Sequence, residues 1–517
     1  MRSAAVKRDC LCFGYSMVQL FLLPSGLFAE HGIEDEVYLR VAFVIVAELI
    51  RNLVQFSTKV RINDVSNRIL VQISIKIRIN ICTIQKNVLT LQRILKYAGM
   101  NYIKREIYLN KLIARRDNGE VKVITGPRRS GKSWMLSHVY MDYLLEQGVP
   151  ADHIIALSFD QDDENMQDDL LDVKALKTYL YGRIQDEGNY YLMLDEIQEV
   201  EGFERLINGL NAKPNVDVYV TGSNSHLLSS DINTLFRGRG DEVHVYPLSF
   251  GEFCIDRTEP FNELWKEYYT YGGLPGLRNH ASAEQKVNYL QRLWKKTYLA
   301  DVIERHNIRN TELLENLADV LCSAVGSLNN PTKLANTILS VKQMKADRET
   351  VDKYIGYLED AFLFESAKRY DIKGKRYFES IKKYYSVDIG LRNARLNFRQ
   401  QEPTHIMENI VYNHLRIFGY LVDVGVVEAR EMRDGKQQKV QYEVDFIATN
   451  GQEKYYIQSA YRMDDEAKRE QELNSLKRID DSFRKIVIVG DDIAPWTDEK
   501  GISYMGLFQF LREGLPK

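Results

Sequence analysis

The chain has 517 residues, room for about three or four domains, and its 44% hydrophobic content is ordinary for globular protein. A formal net charge of −3 excludes a globally basic nucleic-acid binder and leaves room only for a local patch. The five cysteines (10, 12, 82, 254 and 322) include no C-x-x-C pair, and the nine histidines form no H-E-x-x-H. Neither a disulfide framework nor a zinc site is expected, and a reducing, cytoplasmic setting is.

Residues 1–99 come first and form no coherent domain. Lys7-Arg8 followed by the apolar stretch Cys10 to Leu23 imitates a secretory signal. Val37 to Ile50 is interrupted by Arg40 and Glu48 and makes a poor membrane span, and Val71 to Ile81 alternates like an isolated strand. The expectation is that Met100 is the true start, that 1–99 is an atypical leader from upstream translation, and that no membrane segment exists.

From residue 100 to 250 the pattern is that of an α/β nucleotide-binding core. Val121 to Thr125 is a β-branched run suited to a buried strand. Gly126-Pro127-Arg128-Arg129-Ser130-Gly131-Lys132-Ser133 fits G-x-x-x-x-G-K-[ST], and beyond it Met135, Leu136, Val139, Tyr140, Tyr143 and Leu144 follow a helical period. Strand, glycine loop and helix form a phosphate cradle in which backbone N–H groups and the helix terminus face the β-phosphate. Lys132 is expected to reach the β/γ-phosphates of ATP, and Ser133 to hold Mg²⁺. Trp134 completes the nucleotide-binding set. Arg128 and Arg129 either add charge beside the nucleotide or face solvent.

The all-apolar run Tyr190 to Leu194 ends in Asp195-Glu196, with Asp195 expected in the Mg²⁺ shell and Glu196 placed to polarise the attacking water. The adjacent acids and the absence of N-K-x-D favour ATP over GTP. The next strand, Val216 to Val220, leads into Thr221-Gly222-Ser223-Asn224-Ser225. Ser223 or Asn224 there is either a γ-phosphate sensor or part of a turn and helix cap. In Leu235-Phe236-Arg237-Gly238-Arg239-Gly240, Arg237 or Arg239 is either an arginine finger, in cis or in trans across a homo-oligomer contact, or part of a solvated loop.

These motifs resemble a prokaryotic family of AAA+-like P-loop ATPases whose C-terminal half is a domain of unknown function with a nuclease-like fold. Further matches are Tyr246-Pro247-Leu248-Ser249-Phe250 with Glu252-Phe253, Tyr271-Gly272-Gly273-Leu274-Pro275, Tyr384-Tyr385-Ser386-Val387-Asp388-Ile389-Gly390-Leu391-Arg392 and Glu443-Val444-Asp445-Phe446. The resemblance runs from about Met100 to the C-terminus.

Residues 251–313 carry Leu290, Leu293, Trp294, Tyr298 and Ile303 at helical spacing and read as a helical lid. Residues 314–378 read as a winged helix, with Pro331 starting its second helix. Its third helix, 349 to 360, carries Glu349, Asp352, Glu359 and Asp360 against Lys353 alone, which speaks against major-groove readout. The wing, 368–383, has Lys368, Arg369, Lys373, Lys375, Arg376, Lys382 and Lys383 interleaved with Tyr370, Tyr377 and Phe378, a composition suited to nucleic acid or to a solvated hairpin. The run Asp160, Asp162, Asp163, Glu164, Asp168, Asp169 reads as a solvated acidic face. Residues 379–517 follow the order of an α+β restriction-endonuclease-like, PD-(D/E)xK domain. Glu408 and Asp445 stand in place for Mg²⁺, but Gln458 replaces the second acid and Ala460 the lysine, so nuclease activity is not expected. The whole is read as an ATP-driven switch or remodelling engine, with a nucleic-acid-binding protein whose ATP site is structural as the alternative.

Overall fold

The computed structural model describes residues 103–159, 168–222, 235–433, 436–451, 453–463 and 466–516. The leader 1–99, the acidic residues 160–164 and the sensor candidates Ser223 and Asn224 lie outside the described residues.

The first sheet has five strands: β1 (Val121–Thr125), β2 (Ile154–Ser158), β3 (Tyr190–Asp195), β4 (Val216–Thr221) and β5 (Gly240–His244). Their order is β2-β3-β4-β1-β5, and every pairing is parallel. A parallel sheet is covered on both faces, which is why β1 and β4 are buried along their whole length. On one face Val121, Val123, Leu192 and Leu194 pack with Leu176 and Leu180 of helix Val173–Arg183 and with Leu206, Ile207 and Leu210 of helix Phe203–Asn211. On the other, Tyr219 meets Tyr140 of the helix that follows the glycine loop, hydroxyl to hydroxyl at 2.6 Å. Lys122 and Asp217 sit inside this apolar sheet because they pair with each other across neighbouring strands, and Tyr219 donates to the same carboxylate at 2.7 Å.

Beyond the first sheet come helices Phe261–Tyr271 and 283–305, the latter with a π-helical stretch at Leu293–Leu299. Helices Thr311–Ser323, Pro331–Lys342 and Arg348–Asp360 share one core with them through Leu290, Trp294, Leu314, Leu317, Ile338 and Ile355.

The second sheet is made of β6 (Leu328–Asn329), β7 (Phe364–Asp371), β8 (Arg376–Ser386), β9 (Leu421–Arg433), β10 (Lys436–Asn450), β11 (Glu453–Ala460), β12 (Arg484–Val489), β13 (Trp496–Thr497) and β14 (Ile502–Gly506). Its order is β13-β14-β12-β11-β10-β9-β7-β8-β6. Helix Pro403–Ile417 buries Ile406, Ile410, Val411 and Leu415 against it.

Two expectations change here. The boundary at 378/379 falls inside β8, and β7 pairs in parallel with β9 through Arg369↔Val424 to Asp371↔Val426, so the hairpin and the C-terminal strands are one sheet. An unpaired hairpin edge exposes N–H and C=O groups, and β9 satisfies them. The basic wing is also smaller than its sequence suggests. Arg369 (8% exposed) and Lys383 (2% exposed) are buried, which leaves Lys368, Lys373, Lys375 and Arg376 on the surface, Lys382 half-buried and Tyr377 at 52% exposure. Among the described residues no helix is long and apolar enough to cross a membrane.

Candidate nucleotide site

The glycine loop joins β1 to a helix that starts at Lys132 and continues through a π-helical stretch, Met135–Tyr140, to Glu146. Gly126 has φ +134°, and a Cβ there would lie 2.2 Å from the Val245 carbonyl oxygen, so only glycine lets the loop leave β1 beside β5. Gly131 caps the helix at φ +96°. Between them Arg129 takes a left-handed φ of 64° and stays exposed. Pro127 and Ser130 are buried in the turn.

Lys132 is 4% exposed, and its Nζ donates to the carbonyl oxygens of Gly126 (3.0 Å) and Pro127 (3.1 Å). Burial lowers its pKa, with the charges of Glu196 and Asp195 working against that shift, so the ammonium already faces the acids of β3. Ser133 and Asp195 share a hydrogen bond. Burial raises the Asp195 pKa against the bonds from Thr221 and Ser133. A serine hydroxyl and a carboxylate held together are oxygen donors of the type Mg²⁺ takes, so the residues present fit this ion. Trp134, 36% exposed, stacks on His138 with centroids 3.8 Å apart and planes 5° from parallel.

The sheet order places β4 between β1 and β3, and Thr221, its last residue, bonds the acidic pair directly. Its hydroxyl donates to Asp195 Oδ1 and accepts the Glu196 N–H at 2.9 Å. Glu196 sits at φ 51°, ψ 43°, left-handed for a non-glycine residue, and Gln198 donates its side-chain amide to the Glu196 carboxylate. The signal for Thr221 was present as a hydroxyl ending an apolar strand next to the acidic one.

Arg237 and Arg239 are not brought to this loop. Both are exposed, and the Arg239 carbonyl accepts the Val121 N–H at 2.7 Å. That places the arginine turn at the amino end of β1, about 13–16 Å of strand from the glycine loop at the carboxyl end. A cis role at the chain's own site is therefore corrected by the parallel register of β1 and β5.

Arg105, which no motif singled out, clamps the loop from behind. It is 5% exposed, at φ 48°, and donates to Ser130 O (2.8 Å), Tyr246 O (2.8 Å), Pro247 O (3.2 Å) and both oxygens of Glu252 (3.2 and 3.1 Å). The far helix holds the loop as well. Arg128 pairs with Asp301 at 2.8 Å, and Tyr298 donates its hydroxyl to the Arg128 carbonyl at 2.7 Å. The Tyr271-to-Pro275 segment lies against the same loop, with Pro275 Cγ 3.8 Å from a Cβ built on Gly131. Gly273 N–H donates to buried Asp388 at 2.8 Å, and burial, partly offset by bonds from Gly273, Leu391 and Gly390, raises the Asp388 pKa to about 6.

Residues 118–254 match the AAA domain family, and residues 262–402 match a domain of unknown function, DUF8612. An uncharacterized protein of Haemophilus influenzae is 36% identical over 393 residues, covering 75% of this chain and 93% of that protein. An uncharacterized protein of Methanocaldococcus jannaschii is 28% identical over 392 residues, 72% of this chain and 83% of that one. Among solved structures, the Aeropyrum pernix Orc1 protein in complex with DNA aligns with 57% of this chain and 92% of its own at 12% identity and a TM-score of 0.23. The chain belongs to the same family as the Haemophilus influenzae protein, and it is a P-loop protein of the AAA type.

Proposed function

We propose that this protein is a Mg²⁺-dependent ATPase whose nucleotide site moves a helical segment and the C-terminal sheet, acting as a switch or remodelling engine. One observation carries the reading: Lys132, Ser133, Asp195, Glu196 and Thr221 converge at the carboxyl ends of three adjacent parallel strands. In this reading the loop N–H groups and Lys132 bind the phosphates, Ser133 and Asp195 hold Mg²⁺, which neutralises phosphate charge when bound, and Glu196 orients water for in-line attack. Lys132 exchanges its bonds to Gly126 and Pro127 for phosphate oxygens. Arg237 or Arg239 serves only a neighbouring copy, which makes a homo-oligomer part of the proposal. Residues 251–313 act as the lid that grips Arg128, and the three helices with the β7–β8 hairpin form a winged helix fused to a nuclease-like sheet.

The test is a pair of variants. Lys132→Ala should lose ATP binding, whereas Glu196→Gln should bind ATP and fail to hydrolyse it. Normal turnover by Glu196→Gln refutes the assignment of the base.

A second reading rests on the hairpin tip, where Lys368, Lys373, Lys375 and Arg376 stand exposed beside Tyr377. Cations next to an exposed ring suit a nucleic-acid backbone and a stacked base. ATPase rates measured with and without single- and double-stranded DNA at low salt separate the two. Stimulation that disappears when Lys373, Lys375 and Arg376 are neutralised supports the hairpin, and absence of any DNA binding at low salt removes it.

A further inference from the structure

In the C-terminal half, the carboxylates expected to hold a divalent ion are met by a cation of the chain itself. Lys383 of β8 donates from Nζ to Glu408 Oε1 at 2.8 Å and pairs with Glu443 Oε1 at 2.7 Å, with Asp445 Oδ1 3.7 Å away. Tyr385, two residues along and on the same face of the strand, donates its hydroxyl to the same Glu408 oxygen at 2.8 Å. Asp445 lies where the β9–β10 register shifts between Val444 and Ile447, an irregularity that re-aims side chains. Its second oxygen accepts the Ser459 N–H at 2.9 Å. Gln458, in the second acid position, turns its amide nitrogen to Glu472 at 3.0 Å.

Burial works against charge on Lys383, and Glu408, Asp445 and Glu443 outweigh it, so its pKa is raised and the ammonium persists. Removing Glu408 and Asp445 from water without a cation would be strongly unfavourable, and a single ammonium hydrogen-bonded to Glu408 and paired with the one-third-exposed Glu443 compensates. Mg²⁺ in the same place would need about six oxygen ligands at about 2.0–2.1 Å. Among the described residues no group of three His, Cys, Asp or Glu is spaced to hold a metal. With the Lys383 ammonium seated among them, the carboxylates therefore do not offer the open oxygen site that the divalent ion of the nuclease-like order needs, and only removal of the ammonium frees them to close around an ion.

We propose that the Lys383 ammonium is the resident cation of this cluster, and that it locks β8, helix Pro403–Ile417 and β10 together without a metal. The wing hairpin is thereby tied electrostatically to the C-terminal sheet, in addition to its pairing with β9.

The test uses the full chain, free of nucleotide and stripped of metals, with CaCl₂ and Tb³⁺ as probes. The wild-type melting temperature should stay within about 1 °C on adding millimolar calcium. Lys383→Ala should melt lower and regain at least about 3 °C with calcium, because the vacated carboxylates then bind the ion. Terbium emission excited through tyrosine should appear in Lys383→Ala, next to Tyr385, and vanish when Asp445→Asn is added. Both proteins carry the same glycine loop, so a difference between them reports the cluster. A Lys383→Ala protein without a calcium response overturns the proposal. So does a wild-type response that Asp445→Asn abolishes. Should Lys383→Ala fail to fold, the combination Lys383→Met, Glu408→Gln, Asp445→Asn removes the cation together with two buried charges. Folding of that variant supports the lock, and its failure to fold overturns it.

Discussion

Replacing Thr221 with valine tests the hydrolytic geometry most directly, since valine keeps the shape and deletes only the hydroxyl. That hydroxyl donates to Asp195 and accepts the Glu196 N–H, and Thr221 is fully buried, so water does not simply take its place. Each buried polar group left unmade costs about 1–3 kcal/mol. Glu196 adds its left-handed backbone, φ 51°, which costs a non-glycine residue about 1–2 kcal/mol and persists only while its surroundings enforce it. With the clamp gone, the backbone should relax toward right-handed geometry and carry the carboxylate away from the water it is proposed to orient. A misplacement worth about 2–4 kcal/mol corresponds to a loss of about 30- to 1,000-fold in kcat. Lys132 and the loop are untouched, so KM for ATP should move by no more than about threefold. Steady-state phosphate release, read beside binding of a fluorescent nucleotide, separates the two effects. Thr221→Ser should keep most of the rate. A Thr221→Val enzyme within about twofold of wild type would refute the clamp.

Arg105→Ala should destabilise the protein by about 3–5 kcal/mol, because it strands the buried Glu252 carboxylate, and Arg105→Lys should not rescue it, since one ammonium cannot serve acceptors on four residues. Normal thermal melting of Arg105→Ala would contradict this. Asp388 gives a pH dependence. Its folded pKa, about 6, lies above the ordinary aspartate value of 3.8, so the folded state holds the proton more tightly and this residue's contribution falls as pH rises from about 4 to 6. At about 1.4 kcal/mol per unit the loss is about 3 kcal/mol. The urea stability of wild type relative to Asp388→Asn should shrink by about 2 kcal/mol of this between pH 4.5 and 7, the rest being lost below pH 4.5, and a constant difference would refute the shift.

The first sheet was legible because its physics is local. A buried parallel strand must be apolar, a phosphate loop must contain glycine, and the acids must end a strand, so Val121–Ser133 and Tyr190–Glu196 announce themselves. What escaped depends on residues distant in sequence. Nothing about Arg105 marks it as a clamp until Glu252, 147 positions away, lies beside it. Lys383 reads as one more wing charge until Glu408 and Asp445 surround it. Thr221 escaped because it is still inside β4, where a hydroxyl reads as one more strand residue until Asp195 and the Glu196 N–H lie beside it. The arginine turn failed as a cis group for a geometric reason, since sequence shows that it precedes a strand but not at which end of the sheet that strand begins.

On the proposed ATPase reading, the route by which nucleotide state would reach the C-terminal half follows from what holds the glycine loop. Two of its restraints end on backbone: Arg105 on the Ser130 carbonyl and Tyr298 on the Arg128 carbonyl. Phosphate binding recruits the loop's N–H groups, and because each peptide is rigid, turning an N–H turns the neighbouring carbonyl with it. Reorganising the loop must therefore pull on both partners. Arg105 passes the change to Glu252, which accepts the Ser249 N–H and closes the capping box of the Phe250–Phe253 turn. From that turn the Phe250 N–H donates to His414 Nε2 at 2.9 Å, on the helix that also carries Glu408. Burial lowers the His414 pKa to about 4, so the ring stays neutral and this nitrogen remains an acceptor at neutral pH. Tyr298 passes the change to the helix at 283–305, whose Asp301 also holds Arg128. The two routes arrive at different bodies, the C-terminal sheet and the helical segment. A single loop movement can thus reposition both without either touching the nucleotide.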